Sequence, residues 1–456
     1  MNLSDFVRPF NVSTYRARRQ KLIAALAKQD EDFVCIFWSG SELTRTHDQH
    51  FPFRANSDFL YLTGFSEPDT LMILRHSKGK TTASIGIRPR DLSNDRGSEI
   101  WEGERLGVER APKALGFDDA FDIHLVNQYS EKSLAGARSV YWNIGLYPDW
   151  DQKILGWISK GTLKNRGIPL THALKDSRPI LHEMRKVKSA EEIEMMRRSA
   201  NIASQGHIRA MAMSRPGHYE YQVAAELERE FKRLGAQTVS YSSIVAGGAN
   251  ACTLHYHTNE MKLKSGELLL IDAGAEFEGY ASDITRTFPI NGKFSKAQKE
   301  VYEIVLESQL AALAACKAGV KFFKPHEEAA KSLSSGLKKL GFFKSASAQS
   351  VFKKGLWKKY MPHGTSHWLG IDVHDLGRYQ RLDQPKEPVP LPAGSVITIE
   401  PGLYFRKDDS SVPTRYRGIG IRIEDDVHIT AKGPDVLTEA CPKSVDAIEA
   451  ACGPKL

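Results

Sequence analysis

The stretch Gly266–Ile290, GELLLIDAGAEFEGYASDITRTFPI, restricts the fold more than any other part of this chain. Two apolar-rich runs flank a short acidic turn ending in Glu278-Gly279, the pattern of a β-hairpin. With the turn centred between Phe277 and Glu278, Asp272 and Asp283 oppose each other across the strands, with Cβ atoms about 4.5–5.5 Å apart. Asp272 follows Leu-Leu-Leu-Ile and so belongs deep in a sheet. Two opposed, partly buried carboxylates repel and lose their hydration. A proton on one of them, a Lys or Arg pairing with both, or a cation between them must offset that cost. The alternative is a register error that leaves one Asp in solvent.

A second acidic pair lies downstream. Glu400 ends the β-branched run of VITIEPGLY, and Glu424 ends GIGIRIEDD. In the latter the period of two puts Arg422 and Glu424 on one face and the isoleucines on the other. A lone Glu at a strand end is ordinarily a surface residue, but two of them beside an Asp pair are harder to dismiss. Histidines cluster as well: His363, His367 and His374 in MPHGTSHWLGIDVHDLG, and His255 and His257 in TLHYHTNE. Pro362, Gly364 and Gly370 argue against a helix that would align His363 with His367. Spacing alone leaves the choice of ligand histidine open. Four carboxylates and an imidazole suit a hard or borderline divalent ion, Mn²⁺ better than a thiolate-loving metal. Their charge balances two such ions better than one. A two-metal site about 3.5–4 Å across can bridge a water and lower its pKa toward ~7, giving a hydroxide nucleophile and a polarised carbonyl.

The surrounding chain supports a mixed α/β protein. At roughly 150 residues per domain, 456 residues suggest two or three domains. The 41% hydrophobic and 26% charged content excludes disordered, collagen-like and coiled-coil chains. No apolar run approaches the ~18 residues of a membrane span, and no signal peptide is evident. Five scattered cysteines without CxxC spacing point to a reducing cytoplasm rather than a disulfide framework. The net charge of +8 is too dilute to mark a nucleic-acid binder. Its densest patch, Lys353–Lys359 (KKGLWKK), reads as a solvated face, with a surface for an acidic partner as the alternative.

Residues 1–176 read as a small mixed α/β domain. A helix over 12–29 starts at Ser13 as N-cap and carries Tyr15, Leu22, Ile23 and Leu26. Strand-like runs follow at Phe33–Trp38, Asp58–Leu62, Leu71–Leu74 and Thr82–Ile87. Residues 177–456 form the second domain, after the boundary segment Asp176–Lys188. Ser189 and Glu192 make a capping box for a helix to about Met211, and a second helix spans about 220–234. Strands fill 241–290. Ser295 and Gln298 cap a helix to about Lys317, another covers about 326–340, and 366–430 is strand-rich. Helix, helix, strands thus occurs twice, suggesting two similar halves. Gln384–Pro392 and Lys407–Pro413 read as exposed loops.

The ordered set IDAG, SDITRTFP, HGTSHWLGIDVHD, TIEPGLY and GIGIRIEDD resembles the pita-bread metallopeptidases, and most closely the Xaa-Pro aminopeptidases (aminopeptidase P). The resemblance covers nearly the whole chain. FRANSDFLYLTGFSEPD (53–69), SEIWEGERLG (98–107), RPILHEMRKVKSAEEI (178–193) and LTEACPKSVDAIEA (437–450) also match. It implies a pita-bread catalytic domain of two similar halves behind a smaller N-terminal domain. Two divalent ions, expected to be Mn²⁺, would be held by five residues. Asp272 would bind one ion, Asp283 and Glu424 would bridge both, and His367 and Glu400 would complete the other shell. Glu400 would also shuttle protons. His255 and His374 match outer histidines that stabilise the intermediate and hold substrate. His363 and Arg422 match positions by the proline side of the pocket, with Tyr404 close by. The implied reaction releases the first residue from peptides with proline second. A homo-oligomer, dimer or tetramer, is also implied, in which Trp101 matches a contact narrowing a neighbour's site. VKFFKP (320–325) and TEACP depart from the pattern and leave oligomeric state and fine specificity open. A prolidase restricted to dipeptides and a non-catalytic pita-bread binder are the rival readings.

Overall fold

The computed structural model describes residues 6–168 and 170–452. The chain divides into two compact units, one ending at Arg185 and the other starting at Lys186.

The first unit is built on a six-stranded mixed sheet. Its order is Asp119–Asp122, Lys80–Ile87, Leu71–Ser77, Asp32–Trp38, Ser139–Tyr141, Ala173–Lys175. The three central strands are antiparallel and the outer ones join in parallel. Val34, Ile36 and Ile73 pack with Trp142, Trp150 and Trp157 into one core. The opening helix, Val12–Leu26, starts after Asn11 rather than at Ser13. Two arginines share its buried face with Tyr15, Leu22 and Leu26. Arg18 donates to the Tyr61 carbonyl (3.0 Å), and Arg19 to those of Leu62 (2.9 Å) and Gly116 (2.7 Å).

Residues Asp58–Leu62, expected as a strand, lie in the helix Ser57–Thr63. The Asn56 side chain accepts from the amides of Asp58 and Phe59, and Gly64 closes the helix at φ 64°. Six of the seven helical residues are buried, so no apolar stripe marks the helix in the sequence.

The second unit repeats helix, helix, strands. Ala190–Met213 opens with the Ser189/Glu192 capping box and is followed by Glu220–Arg233. Leu268–Asp272 then pairs with Ile244–Gly247 on one side and Thr285–Pro289 on the other. The second round starts with Lys296–Ala314, capped by Ser295 and Gln298, and Lys324–Lys339. Val396–Ile399 pairs with Asp425–Ile429, and Gly402–Phe405 with Ile419–Arg422. Strands start only at Val396; the stretch 361–395 is irregular apart from isolated bridges such as Trp368↔Ile397. Its glycines and prolines, including Pro362, Gly364 and Gly370, break regular pairing. Within the expected loop Gln384–Pro392, Val389 and Leu391 are buried, as is Val412 in Lys407–Pro413.

The hairpin register differs from expectation by two residues. Leu268 faces Pro289, Asp272 faces Thr285 and Phe277 faces Tyr280, so the turn centres between Glu278 and Gly279. Both have positive φ, 52° and 79°, as a type I′ turn requires. Asp272 and Asp283 are therefore diagonal rather than directly opposed. A shift of two keeps side chains on the same face, so the two carboxylates still converge.

Candidate metal centre and active site

Five elements deliver the expected ligands to one place. Asp272 ends the strand Leu268–Asp272, and Asp283 lies in the return segment just before Thr285–Pro289. Glu400 follows Val396–Ile399, and Glu424 follows Ile419–Arg422. His367 stands in the irregular stretch, tied to its neighbour strand by amide bonds: Thr398 N–H donates to the His367 carbonyl (3.0 Å) and His367 N–H to Thr398 Oγ1 (3.1 Å). These five residues line one cavity of about 530 Å³ together with His255, His363, His374 and Arg422. Tyr404 stands behind them, its hydroxyl 2.8 Å from His363 Nε2 and 2.9 Å from Arg422 Nη1. Trp101 belongs to the first unit, on the short helix Glu99–Glu102, with 67% of its surface exposed.

Donor atoms of Asp283, His367 and Glu424 lie within 4.8 Å of one another. His367 Nε2 is 3.4 Å from Asp283 Oδ2 and 3.8 Å from Glu400 Oε1. His367 Nδ1 is 3.0 Å from the Trp368 carbonyl. A carbonyl can only accept, so Nδ1 carries the hydrogen and a neutral ring presents Nε2 as a bare lone pair to the carboxylates. Glu424 accepts from the Thr285 hydroxyl at 2.6 Å. Asp272 pairs with Arg422 Nη2 at 2.5 Å, the one guanidinium that reaches the cluster among the described residues.

Two side chains that the sequence reading did not single out complete the surroundings. The Tyr241 hydroxyl is 2.5 Å from both Asp272 Oδ1 and Asp283 Oδ1. It has one hydrogen to give, so the second short contact needs a proton or cation among the carboxylates. Asp426, fully buried, accepts from the Asp283 amide at 3.1 Å, while its other oxygen has no partner. Tyr241 carries no sequence signal, since it precedes the strand Ile244–Gly247 in an irregular turn. Asp426 was visible in the Glu-Asp-Asp run but could not be told from a strand residue.

The electrostatics follow from burying four carboxylates around one arginine. Burial, reinforced by Asp283, raises Asp272 against the pull of Arg422. Burial and the neighbouring carboxylates push Glu424 well above the usual range. Burial lifts Glu400 to about 7 although His367 and Arg422 oppose it. Asp283 goes the other way: His367 and Tyr241 outweigh its burial and lower it. Burial also works against a charge on His367, yet Asp283 and Glu400 raise it to about 9. The unbalanced carboxylates thus draw protons onto Glu400, Glu424 and His367. The donor set is oxygen-rich with one imidazole, the composition that fits divalent cations.

His363 is held in the opposite state. Nδ1 donates to the Gly364 carbonyl (2.6 Å), Nε2 accepts from Tyr404, and burial beside Arg422 lowers it to about 4. The ring is a neutral, fixed part of the cavity wall. The His374 ring meets that of His367 edge-on at 4.4 Å. Burial, with His367 next to it, lowers His374 below its ordinary value.

Comparison with known proteins identifies the family. The model of metallopeptidase family M24 matches residues 194–431, and that of the aminopeptidase P N-terminal domain matches residues 15–141. The Xaa-Pro aminopeptidase of Escherichia coli (strain K12) is 42% identical over 441 residues, 96% of each chain. Among solved structures, proline aminopeptidase P II from Yersinia pestis superposes with TM-score 0.92 at 42% identity, covering 97% of this chain and 99% of that one. A zinc-substituted E. coli aminopeptidase P in complex with product gives 0.91 at 40% identity, covering 98% and 99%. The chain belongs to metallopeptidase family M24, with an aminopeptidase P N-terminal domain ahead of its catalytic unit.

Proposed function

We propose that this enzyme hydrolyses the bond between the first residue of a peptide and a proline in second position, using two divalent ions, Mn²⁺ in the working enzyme. The observation that carries the reading is the convergence of Asp272, Asp283, His367, Glu400 and Glu424 in one buried cavity, where four carboxylates meet one arginine, on Asp272, and one imidazole, that of His367. Similarity to Xaa-Pro aminopeptidases over 96% of the chain supports the substrate class. When bound, the ions supply Lewis acidity that acidifies water and polarises a carbonyl. Asp272, Asp283, His367, Glu400 and Glu424 would hold the ions. The orientation of His367, with Nδ1 held by the Trp368 carbonyl and Nε2 turned toward the carboxylates, and the shared Tyr241 contact support that ligand set.

The chain's own groups carry the proton traffic. Glu400, which lines the cavity beside His367, is proposed to take a proton from attacking water and return it to the leaving group. The proline nitrogen must gain a proton to leave, because an amide anion is a poor leaving group, and Glu400 is proposed to supply it. His255 and His374 line the cavity and are proposed to hold the substrate carbonyl. Arg422, Tyr404 and His363 form a hydrogen-bonded row that is proposed to position the proline side. Trp101 is proposed to touch longer substrates in a homo-oligomer. A complete ligand set counts against a non-catalytic binder.

Metal-stripped enzyme, reloaded with Mn²⁺, should release the first residue from Xaa-Pro-Yaa tripeptides and leave Xaa-Ala-Yaa controls intact. Cleavage confined to Xaa-Pro dipeptides would make it a prolidase, and cleavage surviving exhaustive chelation would refute the mechanism.

A further inference from the structure

The second unit has another groove, of about 880 Å³, that shares no lining residue with the catalytic cavity. The basic run Lys353–Lys359 forms one side of it and the start of the helix Lys324–Lys339 another. Lys321, Lys324, Lys353, Lys354, Lys358 and Lys386 line it against two acids, Glu327 and Glu387. Both acids are engaged: Glu387 with Lys321 at 2.6 Å, and Glu327 with Lys331 at 2.5 Å and Lys324 at 3.5 Å. Among the described residues, Lys353, Lys354, Lys358 and Lys386 have no carboxylate in ion-pair reach, and all four are exposed. Like charges gathered in a concave site repel one another and concentrate anions.

The groove is also apolar. Phe323 is 40% exposed at its rim, Phe352 is half-buried, and Trp357 is buried with Lys358 Nζ 5.8 Å from its ring centre. Apolar floor and unpaired cations together select a ligand that is both greasy and negative. All the lining cations are lysines. Lysine is a flexible point charge rather than a planar fork, so separate carboxylates along a peptide can each meet one lysine while an apolar side chain between them covers the phenylalanines. Trp357, being buried, offers no open face for stacking a base. The volume lies within the range of ligand pockets, about 300–1,000 Å³.

We propose that this groove is a docking site, separate from the catalytic cavity, for an acidic peptide segment. Its Asp or Glu side chains meet Lys353, Lys354, Lys358 and Lys386, and one apolar side chain rests on Phe323 and Phe352.

The test is fluorescence anisotropy of the full-length metal-loaded enzyme with a labelled peptide, acetyl-Glu-Glu-Leu-Glu-Glu-amide, whose blocked amine and missing proline keep it from being a substrate. Saturable binding is expected, weakening as ionic strength rises from about 0.01 M to about 1 M. The double variant Lys354→Glu/Lys358→Glu should bind about tenfold weaker or worse, with unchanged Tm and tripeptide turnover. Lys21→Glu/Lys28→Glu, on the first unit, should bind normally. Replacing the peptide's Leu by Ser, or Phe323 by Ser, should also weaken binding. The proposal is overturned by absence of saturable binding or by binding that ignores the Lys354/Lys358 double variant. It is equally overturned if a short oligonucleotide or tripolyphosphate binds there more tightly than the peptide, or if the variant alters oligomeric state, which would make the occupant a second copy of this chain.

Discussion

A single imidazole hydrogen constrains the chemistry of the centre. Because Nδ1 of His367 gives its hydrogen to the Trp368 carbonyl, the ring can hold either a proton or a metal at Nε2. Asp283 is in contact with His367 and Tyr241 at once, so its replacement disturbs two neighbours of the centre. Asp283→Asn should lower metal affinity by more than about 100-fold and abolish turnover, read by metal analysis after dialysis and by tripeptide hydrolysis. Glu400→Gln, assayed at saturating Mn²⁺, should lower kcat by about 10²–10⁴, the usual share of an acid–base group. Asp272, Glu400 and Glu424 were legible in the sequence because each ends an apolar run, and Asp283 because the hairpin brings it toward Asp272. The choice of His367 over His363 was not legible from spacing, since it depends on backbone contacts made with Thr398 and Trp368. Tyr241 was invisible for the same reason: its partners are 31 and 42 residues away.

At the scale of elements, helix starts were the most readable feature. Ser189/Glu192 and Ser295/Gln298 form capping boxes whose bonds are local, so four residues suffice to announce them. The hairpin was read correctly as an element but centred one position early. Gly279 marks the turn in the sequence, but the positive φ of Glu278 beside it was not legible, since Asn, Asp or Gly is the usual residue there. Gly274 holds the hairpin tightly: a Cβ there would lie 1.7 Å from the Ser282 carbonyl oxygen. Gly274→Ala should cost about 1–3 kcal/mol, the scale of overpacking, measured by urea unfolding, and it should disturb metal binding through Asp272 and Asp283. Behind Glu424, buried Asp425 pairs with Arg286 (2.7 Å) and Lys443 (2.6 Å), and Arg286 donates to the Glu424 carbonyl (2.5 Å). Asp425→Ala would strand a fully buried guanidinium and should destabilise the fold by about 3–5 kcal/mol.

For the molecule as a whole, the carboxylate cluster makes stability depend on pH and metal together. Glu400 is raised from 4.5 to about 7 and His367 from 6.5 to about 9, so the metal-free fold holds more protons than the unfolded chain between those limits. Stability from both groups is complete at the acid end and lost as pH rises through about 7 and then about 9. Divalent ions replace those protons, so their binding strengthens in the same direction. Thermal unfolding should therefore show a Tm increment from Mn²⁺ that grows from pH 5 to pH 9. A constant increment would contradict the overlap of proton and metal sites. Among the described residues no helix is long and apolar enough to cross a membrane. The most direct measurement titrates Mn²⁺ into stripped enzyme while following bound metal and Xaa-Pro-Yaa hydrolysis in the same samples. Activity should climb to a plateau as two ions are taken up per chain and should be absent in Asp283→Asn. Full hydrolysis by the stripped enzyme, or two bound ions with no hydrolysis, would contradict the account.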